Sequence, residues 1–295
     1  KHTQMKANSQ PLVSICIPTY NGESYLEECL DSALSQTYSN IELIISDDAS
    51  SDTTLAIINT IKAKTEIPIK VLNHKPSGIG ANWNNCIKHA TGDYIKFLFQ
   101  DDALAPNCVE RLMRMIDVYD NVAMVYAKRH FIYAKETAAI LEFNKVYGTL
   151  HNYWADLEIT EGVLEGKTYL KDKNFLNAPK NKIGEPTSVL LDKRCFEKVG
   201  YFNEDLKQAL DCEFWSRLMP HYSIGFVDDY LSSFRLHDNQ ASAVNKSEKI
   251  NETEVLYKLY YNTLLPYLHS VCRKKLQKRF HPLLSRLVKL KAKFT

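Results

Sequence analysis

The chain has 295 residues, enough for one large domain or two small ones around a substantial core. Its composition is ordinary for a globular protein, 45% hydrophobic and 24% charged with a net charge of +2, which gives no support to nucleic acid as a partner. No apolar run approaches the roughly 18 residues of a membrane span and no secretory signal is visible, while seven scattered cysteines without CxxC spacing read as reduced core residues of a cytoplasmic protein.

Residues 1–10 are polar and read as a disordered lead-in. Leu12 to Ile17 is a buried strand that stops at Pro18. The loop PTYNG (18–22) leads to a helix that Ser24 and Glu27 would open as a capping box. A second strand, Ile41 to Ser46, ends in Asp47, Asp48, Ala49, Ser50, Ser51 and Asp52. A carboxylate just past a strand end can accept a hydrogen bond from a ring N–H, and Asp52 is placed to cap the next helix. A third strand, Ile67 to Leu72, is followed by the glycine-bearing loop NHKPSGIG and a helix from Ala81 to Ala90 that opens with Asn82, Asn84 and Asn85.

Tyr94 to Phe99 is an apolar strand running straight into Asp101 and Asp102, after which Pro106, Asn107 and Glu110 restart the chain as a helix. Two adjacent carboxylates repel each other, and a hard divalent cation relieves that repulsion; a solvated acidic turn would present the same two residues. The alternation of strand and helix predicts an α/β fold with a doubly wound, mostly parallel sheet, whose ligands bind at the carboxyl ends of the strands. Neither GxGxxG nor GxxxxGK[ST] occurs at the turns, which argues against a standard dinucleotide or P-loop site.

Further along, Asn107 to Val118 is an amphipathic helix and Val122 to Ala127 another strand. Residues 128–180 lack a sustained period and are rich in aromatics, among them Phe131, Tyr133, Phe143, Tyr147, Tyr153, Trp154 and Tyr169. Such rings either stack on sugars or pack a flap. In LDCEFWSRL (210–218), Asp211 and Glu213 stand near a helix start whose positive end favours ionised carboxylates, with Trp215 facing inward. From Ser247 onward the chain is helical, and the last 25 residues carry nine Lys or Arg and no acid, a pattern that suits either an anionic membrane surface or a solvated helix.

VSICIPTYNG (13–22), SDDASSDTT (46–54), GIGANWNNCIKHATGDYIKFLFQDD (78–102), NKIGEPTSVLLDKRCFEKVGYFNEDL (181–206), LDCEFWSRL (210–218) and SFRLHDNQAS (233–242) together resemble the family-2 inverting glycosyltransferases of GT-A fold, which use nucleotide sugars. The resemblance implies a nucleotide-sugar-binding half over residues 11–127, an acceptor-binding half over 128–245 and a basic helical extension over 246–295. It implies that Pro18, Tyr20, Asn21 and Asn82 line the nucleotide pocket and that Asp48 reads a pyrimidine, favouring a UDP- or dTDP-sugar. Gln100, Asp101 and Asp102 stand where the family has its DxD triplet, so Asp102 would hold Mn²⁺ or Mg²⁺, Asp101 would contact the donor, and His237 would be a further metal or diphosphate contact. Asp211 matches the catalytic base with Glu213 as runner-up, and Glu185, Trp215 and Arg235 belong to the acceptor side. The implied acceptor is a glycan or lipid-linked hydroxyl of surface-polysaccharide synthesis, with the enzyme cytoplasmic or peripheral on the inner membrane face. A sugar nucleotidyltransferase or a catalytically silent sugar-binding protein would use many of the same features.

Overall fold

The computed structural model describes residues 10–237, 240 and 250–283. The described strands are β1 (Val13–Thr19), β2 (Ile41–Asp47), β3 (Ile69–Asn73), β4 (Tyr94–Phe97), β5 (Ala103–Leu104), β6 (Val122–Ile132), β7 (Gly162–Glu165), β8 (Val189–Asp192) and β9 (Ser223–Arg235). They form one sheet in the order β3-β2-β1-β4-β8-β6-β9-β5, with β7 also pairing to β9. The helices are α1 (Leu26–Leu34), α2 (Thr54–Lys62), α3 (Ile79–His89), α4 (Cys108–Ile116), α5 (Ala138–Tyr147), α6 (Gly166–Leu170), α7 (Cys195–Val199), α8 (Leu210–Leu218), α9 (Thr253–Thr263) and α10 (Ser270–Phe280).

The amino-terminal half is parallel, β3-β2-β1-β4, as strands joined by crossover helices must be. Successive residues of a strand face opposite sides, so Val13, Ile15 and Ile17 pack with α1, α2 and α4 while Cys16 packs with Cys86 and Ile87 of α3 and the rings of α8. Burial on both faces explains why these strands are near-continuous apolar runs. The second half breaks the parallel rule: β8 runs antiparallel between β4 and β6, and the sheet is therefore mixed. All seven cysteines are buried free thiols.

Three local expectations change. β1 continues through Pro18 to Thr19. Beyond Cys16 it no longer pairs with β4, so the missing N–H of Pro18 costs no ladder bond on that side. Ser24 and Glu27 form no capping box; α1 starts after Tyr25 without a side-chain cap, and Glu23 instead accepts from the Thr53 amide (3.0 Å) and hydroxyl (2.6 Å). Asp52 accepts from the Thr54 and Glu23 amides (3.0 and 3.1 Å), tying the starts of α1 and α2 together. Residues 128–180 hold regular structure after all: the end of β6, then α5, β7 and α6. Trp154 and Tyr169 are core residues there.

The carboxyl-terminal helices belong to the same body. Leu256, Tyr257 and Tyr260 of α9 and Cys272 and Leu276 of α10 are buried in the core that includes α8. Residues 1–9, the motif positions 238–239 and 241–242, and the basic tail from 284 lie outside the described residues.

Candidate functional site

The carboxyl edge of the parallel strands carries the polar loops. The Gln100 side chain accepts from the Tyr20 amide (2.8 Å) and donates to the Tyr20 carbonyl (3.0 Å), clamping the PTYNG loop to the end of β4 while the Tyr20 ring stays exposed. Asn21 has φ of 47°, a left-handed geometry that asparagine tolerates. Its amide donates to Ser50 Oγ and its side chain accepts from the Ser51 amide, both at 2.8 Å, so the β1 and β2 loops form one rim. Asp47 is spent inside that rim, accepting from Thr19, the Ser50 amide and the Ser50 hydroxyl. Asp48 is instead hydrogen-bonded to His74 Nδ1 at the end of β3. Asn82 is buried beside them on α3; its Nδ2 reaches the Thr19 carbonyl at 3.5 Å, and its Oδ1 has no protein partner. Trp83, the next residue, stacks on Phe99 with ring centroids 4.9 Å apart.

The acid pair stands at the centre of this edge. Asp102 is 1% exposed; one carboxylate oxygen accepts from the Thr187 hydroxyl (2.7 Å), the other from the Arg235 amide (3.0 Å). Burial, with Asp101 beside it, pushes the Asp102 carboxyl well above the usual range. Asp101 faces outward, its Oδ2 3.0 Å from His237 Nε2. Arg235 Nε donates to the Asp101 carbonyl (2.8 Å), its guanidinium bonds Glu28 (2.6 Å), and it lies over the Tyr25 ring, which also contacts His237. His237 therefore meets Asp101 directly, and Asp102 only through the pair. Carboxylate oxygens and an imidazole are donors of the kind Mn²⁺ accepts, but among the described residues no three such side chains are grouped as a cation site.

Asp211 lies at the start of α8. Its oxygens accept from the Cys212 amide (2.6 Å) and from Asn181 Nδ2 (2.7 Å). Lost hydration is the largest influence on its carboxyl; together with the charge of Glu185 it outweighs the hydrogen bonds and lifts the pKa to about 7. This corrects the expectation that the helix start holds Asp211 ionised: desolvation prevails over the dipole. Glu213 is 4% exposed and bound through both oxygens by Arg217, one turn on (2.7 and 3.0 Å). Arg217 is in turn anchored to the carbonyls of Val199 and Tyr201, so the Glu213 carboxylate is already paired within α8. Trp215 is buried, with Nε1 donating to the Gly184 carbonyl (3.1 Å).

One short segment joins the two acid sites. Asn181 holds Asp211, and six residues later Thr187 holds Asp102. Between them Glu185, gripped by Arg129 of β6, lies near enough to raise both carboxyls. The structure thus brings together Asp101, Asp102, Arg235 and His237, and links them through residues 181–187 to Asp211. Pro18, Tyr20, Asn21, Asp48 and Asn82 form the adjoining rim.

Sequence reasoning gave no role to Asn181, Thr187, Arg129, His74 or Lys96. Lys96 was the legible one, a lysine inside an otherwise apolar strand. It is fully buried and donates to the carbonyls of Thr187 and Phe97, so it fixes the residue that fixes Asp102. Lys96→Met is expected to cost about 1–3 kcal/mol by leaving those carbonyls unpaired. Urea unfolding measures that loss, and a stability equal to wild type would remove this role. Two cavities of about 140 and 230 Å³, lined in common by Asp120, Val122 and Arg194, lie at the opposite edge, beside the amino ends of β4 and β6.

The profile described as Glycosyl transferase family 2 matches residues 14–194. An uncharacterized glycosyltransferase of Rickettsia typhi is 31% identical over 250 residues, covering 83% of this chain and 71% of its own. An uncharacterized protein of Mycobacterium tuberculosis is 31% identical over 225 residues, 76% of this chain and 67% of its own. Among solved structures, S. aureus TarS 1-349 in complex with UDP-GlcNAc superposes with a TM-score of 0.62 at 19% identity, over 91% of this chain and 71% of that one. The mannosyltransferase PcManGT from Pyrobaculum calidifontis, in complex with GDP-Man and Mn²⁺, gives 0.58 at 16% identity, over 97% and 81%. These likenesses establish a GT-A-like fold.

Proposed function

We propose, since this chain belongs to glycosyl transferase family 2 and so works on a nucleotide-sugar donor, that it moves a sugar from UDP or dTDP to an acceptor hydroxyl with inversion at the anomeric carbon. The acceptor is a glycan or a lipid-linked sugar of surface-polysaccharide synthesis. The single observation that carries this reading is the segment from Asn181 to Thr187, which holds a proton-accepting Asp at one end and a cation-suited Asp at the other.

In this mechanism the rim of Pro18, Tyr20, Asn21, Asp48 and Asn82 takes the nucleoside, with the exposed Tyr20 ring free to stack on the base. A divalent cation held by Asp102, with His237 as a further contact, would supply positive charge to the leaving diphosphate. The acceptor oxygen attacks the anomeric carbon, the bond to the diphosphate oxygen breaks on the opposite face, and the acceptor proton passes to the Asp211 carboxylate. Glu185, fixed by Arg129, helps keep Asp211 a basic carboxylate and faces the acceptor side. No described helix is long and apolar enough to cross a membrane. Arg273, Lys274, Lys275 and Lys278 are exposed on α10 while Cys272 and Leu276 face the core, which supports peripheral attachment to an anionic surface.

A base with a pKa of about 7 must be deprotonated to act, so kcat is expected to rise as pH increases through about 7 and then level off. A flat profile from pH 5 to 8 would place the base elsewhere. The reading as a whole is tested by nucleotide release with Mn²⁺ across UDP-, dTDP- and GDP-sugars. Release from a UDP- or dTDP-sugar is expected; release from GDP-sugars alone overturns the donor assignment, and release from none overturns the transferase.

A further inference from the structure

We infer that a ladder of four aromatic rings, running from β9 across β6 onto α5, is a binding subsite for a neutral glycan chain; this rests on the transferase reading and names the acceptor class of that site. β6 and β9 are parallel neighbours with Phe131 opposite Phe234, so the two rings project from the same face, 6.0 Å apart. Phe131 then meets Phe143 of α5 edge-on at 5.3 Å, and Phe143 meets Tyr147 one turn along at 4.5 Å.

The position of the ladder matters as much as its rings. Arg129 lies two residues before Phe131 on the same strand face, and its guanidinium sits 5.0 Å from the Phe131 ring while gripping Glu185. The ladder therefore begins beside Arg129, which holds Glu185, and Phe234 faces the opposite side of β9 from its neighbour Arg235.

The rings are not consumed by packing. Phe131, Phe143 and Phe234 are only partly buried, Tyr147 is exposed, and α5 has no buried residue over its whole length. An ordinary surface helix hides an apolar stripe. This one rests its rings on the sheet edge and leaves their outer surfaces in solvent, an arrangement that matches the flat apolar faces of sugar rings. The charges nearby select the occupant: Glu142 pairs with Lys145, and the adjacent Lys135 and Glu136 offset each other in charge. With acids and bases balanced there is no basic field to hold an anionic lipid surface, and a neutral polar chain is the complement.

The test uses wild type, Tyr147→Ala and Leu141→Ala, the last on the same helix but outside the ladder. The probes are an array of neutral oligosaccharides and, separately, vesicles of phosphatidylcholine with phosphatidylglycerol. Wild type is expected to bind at least one oligosaccharide, Tyr147→Ala to lose at least about tenfold in affinity, and Leu141→Ala to match wild type, all three with the same melting temperature. No glycan bound by wild type, equal binding by Tyr147→Ala, or vesicle binding lost in Tyr147→Ala without any glycan binding would each overturn the inference. Nucleotide release by the same samples separates the two claims: release with unaltered glycan binding in Tyr147→Ala leaves the transferase standing and removes the ladder.

Discussion

Asp211→Asn is expected to lower kcat by about 10²–10⁴-fold while the donor binds as in wild type. The reason lies in what the substitution keeps. The amide has the shape of the carboxylate and can still accept from the Cys212 amide or from Asn181, but it cannot take a proton from an incoming hydroxyl. Losing one of two hydrogen bonds costs about 1 kcal/mol, which is offset by no longer desolvating a charge, so the fold should persist. Steady-state kinetics with donor affinity measured separately by calorimetry distinguishes the two effects. A fall in donor affinity with kcat preserved would show that Asp211 positions the nucleotide and that the base is another group.

Asp102→Asn is expected to weaken Mn²⁺-dependent binding of UDP by at least about 100-fold, beyond the range typical of groups that merely orient a metal ligand. Asn still accepts from Thr187 or from the Arg235 amide, so the loss reports on charge and not on a collapsed loop. Calorimetry with and without Mn²⁺ reads it directly. Metal-free binding should be equal in the two proteins, and unchanged metal-dependent binding would remove Asp102 from the cation site. His237→Ala is the companion variant. Because His237 touches Asp101 and not Asp102, its effect should be smaller than that of Asp102→Asn.

The amino-terminal fold was legible because each parallel strand is buried on both faces and announces itself as an apolar run ending in polar loop residues. β9 was not legible as a strand. Asp228, Asp229 and Tyr230 interrupt its alternation, and its register against β6 shifts near Ala127, Lys128 and Arg129, so no period of two survives over its length. β5, of two residues, and β7, of four, are too short to carry a pattern. The acids of the site could be read because adjacent carboxylates past a strand end are chemically conspicuous. Their environments could not. Asn181 reaches Asp211 across 30 positions and Thr187 reaches Asp102 across 85, and it is burial in the folded chain that lifts Asp211 to about 7. That Glu213 pairs with Arg217 while Asp211 pairs with Asn181 was likewise invisible in the sequence.

The most direct test is the anomeric configuration of the glycosidic bond formed from whichever donor the release assay identifies, read by proton NMR of the isolated product. A single displacement aided by one carboxylate at Asp211 predicts a configuration opposite to that of the donor sugar. The same configuration as the donor would contradict it, because the sugar would then have left and returned on one face and Asp211 could not be the base of that step.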